Sequence, residues 1–351
     1  NGGEVATSDP FLGVQRGEIE DYKVLIKTAE PINAELKRFV NPTELSAVEQ
    51  TDVAVMLRNA GLQPLTSATI TCLFNGQEII NYSWNGNLAS GQSQVVTIGN
   101  IDLELGMNNL KAFVDVTGDQ THDNDTVTMG TYIFKTFVVP YETAFDEAEG
   151  NDHFYAYNAI ASNPTNCWEM GVPDETNSVI KTPYSEPNCW KTKLSGKHPK
   201  NNESILYSPI FDVNIVKPDT LSFMMRMDAA MANAKMYVEY LNWEGKWVLL
   251  GEHDDDNAQN WYNSEENYWE GTRSWTKVVY SLNHLNYMFG NQFQLRFVFR
   301  SANGIQKDGF AIDDFSIKRA QREQDAGVVS LVLEPTALPN YGSNYYPKVG
   351  I

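Results

Sequence analysis

Apolar and polar residues alternate with a period of two along much of this chain. Thr69 to Phe74 reads TITCLF, Lys235 to Tyr240 reads KMYVEY, and Gln294 to Phe299 reads QLRFVF. Such alternation predicts strands with one face buried. Turn pairs such as Asn75-Gly76, Asn85-Gly86 and Glu244-Gly245 separate the runs at short spacing. A helical period is nearly absent, so the predicted class is all-β, with tandem β-sandwiches.

Two breaks divide the chain, one near Thr28 to Pro31 and one near Val139-Pro140. The stretch between them, 29–139, has the size of an immunoglobulin-like sandwich. Residues 140–319 hold most of the tryptophans and form a second, larger domain, followed by the polar link Arg319 to Gln324. A repeat then sets in. Asn33 to Leu45 lines up with Ala326 to Leu338 in its apolar positions and in Pro-Thr-x-Leu, and Val349 to Ile351 falls where Val53 to Val55 lies in the first copy. Residues 320–351 are therefore expected to begin a second Ig-like sandwich, and 1–28 to end an earlier module. The chain reads as a segment of something longer, with incomplete modules at both ends.

Composition narrows the function classes. The 351 residues carry 45 Asp and Glu against 26 Lys and Arg, a net charge of −19, which disfavours nucleic acid as a partner. No apolar run reaches the ~20 residues of a membrane helix. With 8 Trp, 17 Tyr and 16 Phe the chain has ample material for packed cores. No HExxH, GxSxG, phosphate-cradling or dinucleotide-binding motif is present, so no catalytic residue is predicted and the chain reads as a non-enzyme. Cysteines are few. Cys167 and Cys189 sit in matching Asn-Cys-Trp settings and are expected to form a disulfide, as suits an exported protein, with two separate thiols as the alternative. Cys72 is expected to be a buried strand thiol.

Aromatic residues crowd the segment containing Trp261, Tyr262, Tyr268 and Trp269, interleaved with Asn and Glu. That mixture suits a sugar-stacking platform, and it equally suits core packing; the same holds for Trp243 and Trp247 beside their turn. The acidic runs Glu252 to Asp256 and Asp119 to Asp125 could collect a cation, but lack the spacing of a calcium loop. Capping of their own turns is the simpler expectation.

Four stretches carry family resemblances. Gly17 to Tyr22 followed by KVLI is similar to the signature of GEVED domains, of which 1–28 would be the tail. The opening strand ending in Pro-Thr, Val53 to Val55, Arg58 to Gly61 and Asp123 to Thr126 resemble CARDB-type Ig-like domains. Trp190-Lys191-Thr192, Leu206 to Pro209, Trp247 to Gly251, Asn260 to Tyr262 and above all Asp308 to Ile317 resemble MAM-like jelly rolls of secreted Bacteroidota proteins. Residues 320–351 would start a second CARDB-type domain. The resemblance implies a non-catalytic extracellular or cell-surface adhesion region of a mosaic protein, a type IX secretion cargo. The alternative is accessory modules of an extracellular metalloprotease whose catalytic domain lies elsewhere. Expected partners are other domains of the same protein, a surface assembly, and a glycan or protein ligand.

In the run FAIDDFSI, strict alternation puts Asp313 on one face with Phe315 and Ile317, and Asp314 on the other. One carboxylate must then point inward, at a cost unless it is paired. Structural calcium is one remedy, with Asp313 and Asp314 joined by Asp146 and Asp152 where the first and last strands of a jelly roll meet. Backbone N–H donors or a basic partner are the other.

Overall fold

The structure is a computed structural model that describes residues 30–46, 49–146, 153–159, 167–174, 176, 178–319, 330–332 and 348–350. It divides into two compact units, 1–133 and 134–351.

The first unit contains β1 (Ala34–Asn41), β2 (Leu45–Ser46), β3 (Gln50–Asn59), β4 (Leu65–Phe74), β5 (Gln77–Leu88), β6 (Ser93–Asp102), β7 (Gly106–Asp115) and β8 (Thr126–Ile133). A 3-stranded sheet in the order β1-β3-β6 faces a 5-stranded sheet in the order β2-β8-β7-β4-β5. Alternation does what the sequence predicts: on β7 Leu110, Ala112 and Val114 point inward, and they meet Leu36, Val55, Leu57, Ile70 and Trp84. Cys72 is buried in the same core, where loss of water pushes its thiol up to about 11.

The second unit opens with β9 (Thr136–Val138) and β10 (Tyr141–Thr143), then β11 (Tyr155–Asn158), β12 (Trp168–Gly171), β13 (Cys189–Thr192), β14 (Asn202–Asp212) and β15 (Pro218–Asp228). It continues with β16 (Ala234–Leu241), β17 (Trp247–Leu249), β18 (Ala258–Gln259), β19 (Thr272–Ser281), β20 (Gln292–Ser301) and β21 (Gly309–Arg319). One sheet runs β12-β13-β21-β15-β19-β18, with β10 beside β21; the other runs β11-β14-β20-β16-β17, with β9 beside β14. The long strands from β13 to β16 alternate between the two sheets, as do β19 to β21, which is the winding of a jelly roll. The core between the sheets is strongly aromatic; Phe211, Phe223, Phe293, Phe297, Phe299 and Phe315 are all buried. The break expected near Val139-Pro140 falls inside this unit, because Thr136–Val138 already pairs with Ile210 to Asp212.

The tail supplies β22 (Ser330–Val332) and β23 (Lys348–Gly350), paired antiparallel with Leu331 opposite Val349. The expected GEVED-like tail at 1–28 lies outside the described residues.

Candidate functional site

Of the four aromatics weighed between sugar stacking and core packing, three are structural. Trp269 is fully buried, Trp261 and Tyr262 nearly so, and their rings pack on one another with centroids 4.7 to 5.2 Å apart. Each polar atom finds a backbone partner. Trp261 Nε1 donates to Leu250 O at 3.1 Å, Tyr262 OH donates to the same oxygen at 2.9 Å, and Trp269 Nε1 donates to Asn260 O at 3.2 Å. Gly251 makes room for this cluster: with φ +69, a Cβ there would lie 2.4 Å from the Tyr280 ring and 2.8 Å from Trp261 Nε1. A glycan cannot reach those faces. Tyr268 lines a recess of about 450 Å³ with Asn233, Lys235, Glu266, Glu270 and Arg300, but Lys235 Nζ already sits 4.6 Å above its ring.

The Asp308 to Ile317 motif corrects the predicted strand faces. Phe310 and Ile312 point into the core, and so do Phe315 and Ile317, so the alternation skips a residue between them. The register explains how. Ser222 pairs with Ser316 and Met224 with Asp313, which leaves Asp314 and Phe315 opposite Phe223 alone. This is a β-bulge, and Asp314 takes the left-handed conformation it needs, with φ +45. Asp313 therefore leaves the face of Phe315 and Ile317 and lies on the outer side of the sheet.

It is buried there because residues 178–188 pass over it as a strap. Asp313 Oδ2 accepts the N–H groups of Tyr184 and Ser185 at 2.8 and 3.0 Å, and Oδ1 accepts the Asp314 N–H at 2.8 Å. Ser185 Oγ donates to Asp314 Oδ1 at 2.6 Å. Asp308 repeats the device: its Oδ2 accepts Val179 and Ile180 N–H at 2.6 and 2.8 Å. Backbone donors, the alternative to calcium weighed from the sequence, thus meet the Asp313 carboxylate. Burial nevertheless pushes that carboxyl up to about 6, against the lowering by its N–H donors. Asp146 is exposed just past β10, and Asp152 lies outside the described residues. Gly309, at φ +85, is required because a Cβ would come 2.0 Å from Thr192 Oγ1, the atom that accepts Phe310 N–H.

Ile180 of the strap packs down on Cys189 and Ala311, with Lys191 on the same strand face as Cys189. Lys191 is fully buried, its Nζ donating to Lys193 O at 2.8 Å and standing 3.9 Å from Asp308 Oδ2. Burial lowers its pKa, opposed by the Asp308 charge.

The expected disulfide does not form. Cys189 pairs with Gly171, whereas Cys167 lies beyond Trp168 at the other end of the same two-stranded ladder, where its carbonyl accepts Lys193 N–H. Four strand positions separate them, about 13 Å at the usual rise, and a disulfide spans Cα atoms no more than about 7 Å apart. All three cysteines are free and buried.

The exposed aromatics are elsewhere, on loops that the sequence left unremarked or undecided. At one end of the second unit, the β14–β15, β16–β17 and β19–β20 loops expose Ile215, Trp243 and Tyr287 at 89%, 64% and 77%. Hydrogen bonds tie these loops together. Trp243 N–H donates to Met288 O at 2.8 Å, Lys217 Nζ to Gly290 O at 3.3 Å, and Val213 N–H to Asn291 O at 2.8 Å. Asn242 Oδ1 accepts the N–H groups of Glu244 and Lys246, which fixes the turn under Trp243. Trp247, in contrast, is half-buried, with the Arg296 guanidinium 4.3 Å over its ring and Tyr207 5.6 Å away. At this loop end the apolar faces of Ile215, Trp243 and Tyr287 stand open on three neighbouring loops.

No family model and no curated protein matches the chain. Among solved structures, the CARDB domain of a Pyrococcus furiosus protein, in complex with di-metal ions, is 19% identical over 32% of this chain and 99% of its own, with a TM-score of 0.26. The K1 cleaved adhesin domain of Lys-gingipain from Porphyromonas gingivalis is 12% identical over 52% of this chain and 99% of its own, with a TM-score of 0.30. The CBM22-1 xylan-binding domain from Paenibacillus barcinonensis is 12% identical over 52% of this chain and 94% of its own, also at 0.30. Scores of this size transfer no ligand to this chain. Among the described residues, no helix is long and apolar enough to cross a membrane.

Proposed function

We propose that this chain is a non-catalytic, extracellular or cell-surface binding and adhesion region of a larger mosaic protein. In this reading the loop end of the second unit, with Trp243, Tyr287 and Ile215, contacts a surface glycan. The observation that carries it is the exposure of three large apolar side chains on neighbouring loops held in place by backbone hydrogen bonds. A grouped apolar surface of this kind marks an interaction site more often than scattered single residues do. Indole and phenol rings present flat faces that match the C–H surfaces of pyranose rings, while the exposed Asn214 and Asn291 supply amides nearby. Trp and Tyr also dominate binding energies where they anchor an interface.

The buried ionisable groups of the second unit support a non-catalytic role. Asp308 and Asp313 hold the strap, Lys191 is sealed beneath it, and His198 is buried with Nδ1 on Pro199 O. Catalysis needs such groups open to a substrate. Export, by type IX secretion, belongs to the same reading through the modular resemblance.

The test is binding of the purified chain to a glycan array, followed by titration of the best ligand. Trp243→Ala should weaken affinity at least tenfold, about 1.4 kcal/mol, while Leu62→Ala, exposed in the first unit, should leave it unchanged. Equal affinity for wild type and Trp243→Ala would move the site elsewhere.

A further inference from the structure

In the first unit, the loop between β7 and β8 brings Asp119, His122 and Asp125 together, one ligand atom from each within 4.8 Å of the others. Asp119 is anchored. Its Oδ1 accepts Thr121 N–H at 2.9 Å, the turn cap expected from the sequence, and its Oδ2 accepts Ala34 N–H at 2.7 Å. The His122 ring is 69% exposed, with Nδ1 2.7 Å from Asp125 Oδ2.

Asp125 is the informative member. Its residue is only 8% exposed, and Oδ1 is shut off from solvent with no hydrogen-bond donor. The backbone holds it there, since its carbonyl accepts Val114 N–H at 3.0 Å and that of Asn124 accepts Leu36 N–H at 3.1 Å. A buried carboxylate oxygen without a donor is costly. Two carboxylates face one imidazole, so the group keeps a net negative charge even when His122 is protonated. The chain's own donors do not complete this site.

We propose that Asp119, His122 and Asp125 bind a divalent metal ion of the imidazole-preferring class, zinc above all. An imidazole nitrogen with two carboxylates suits such an ion, whereas calcium takes six to eight oxygens. Metal–ligand bonds of about 2.0–2.2 Å place tetrahedral ligands about 3.4 Å apart. His122 Nδ1 already stands 2.7 Å from Asp125 Oδ2, so a spacing of up to 4.8 Å is closed by about 1.4 Å at most, through a small rotation of the Asp119 side chain toward that pair. Three protein ligands leave one position open to water. The ion would also tie the β7–β8 loop to the start of β1, through Asp119 and Ala34.

The test uses the full chain, stripped with chelator and titrated with Zn²⁺ by calorimetry, with visible absorption of the Co²⁺ complex as a second readout. The expected result is a saturable site with a Co²⁺ spectrum that includes a nitrogen ligand. His122→Ala should weaken it at least tenfold without lowering the melting temperature of the metal-free chain, and His253→Ala should bind as wild type does. Asp125→Asn, which keeps the side chain's shape, should weaken it as well. Absence of saturable Zn²⁺ binding, or wild-type affinity in His122→Ala, would overturn the proposal; preference for Ca²⁺ over Zn²⁺ would overturn the assigned class.

Discussion

Asp313 sits at a position where hydration is lost but donors are supplied, and burial outweighs the donors, holding its carboxyl near 6. The sign of the consequence follows from linkage. A carboxyl whose folded pKa is raised binds its proton more tightly folded than unfolded, so its contribution is largest at low pH. That contribution falls as pH rises from 3.8 to about 6 and stays flat above. Urea midpoints of wild type, taken relative to Asp313→Asn, should decline with pH across this window. In Asp313→Asn the amide oxygen still accepts the Tyr184 and Ser185 N–H groups but cannot ionise, so the difference between the two proteins should vanish below about pH 4. A wild-type midpoint that rises relative to the variant with pH would contradict this. The cysteines obey the same rule. Burial pushes Cys167 and Cys189 up to about 12 and Cys72 to about 11, so none supplies thiolate at neutral pH. Alkylation of the native protein should be slow at all three positions, and mass mapping after denaturation should find three modified thiols and no crosslinked pair.

At the scale of elements, the strap is the unit that the Asp308 to Ile317 motif builds. Two carboxylates, each accepting two successive backbone N–H groups, clamp residues 178–188 onto the sheet. Arg226 adds a bond to Val179 O at 2.8 Å, and Trp275 one to Thr182 O at 3.3 Å. Removing one clamp by Asp308→Ala strands two N–H donors, at a cost of roughly 2–4 kcal/mol, and also leaves Lys191 without its nearest negative charge. The strap should then open locally, and maleimide labelling should rise at Cys189, which it covers, while Cys167 and Cys72 stay protected. Unchanged labelling at Cys189 would mean that the strap is held by its other contacts. These elements also show where the sequence stops being readable. KMYVEY was legible as a strand with Met236, Val238 and Tyr240 inward, because its alternation is unbroken. FAIDDFSI was legible as a strand but not in its faces, because a bulge adds one residue that composition does not mark. Cys167 and Cys189 looked paired because their neighbours match, and only register shows them at opposite ends of a ladder.

On the scale of the molecule, two sandwiches were legible because turn pairs and alternating runs recur at short spacing, whatever the ligand. The binding surface was not. Trp261 and Trp243 are both aromatic residues among polar neighbours in the sequence, yet one is 5% exposed and the other 64%. What separates them is tertiary: Leu250 and Tyr262 close over Trp261, while Trp243 sits on an exposed turn fixed by Asn242. Ile215 and Tyr287 carry no signal at all until their loops are seen to converge on one end. The claim that this end meets the ligand is tested most directly by hydrogen–deuterium exchange of the full chain with and without its best array-selected glycan. Protection should appear in residues 213–217, 242–246 and 283–291 and be lost in Trp243→Ala. Protection confined to the recess around Lys235 and Tyr268, or to the first unit, would contradict the account.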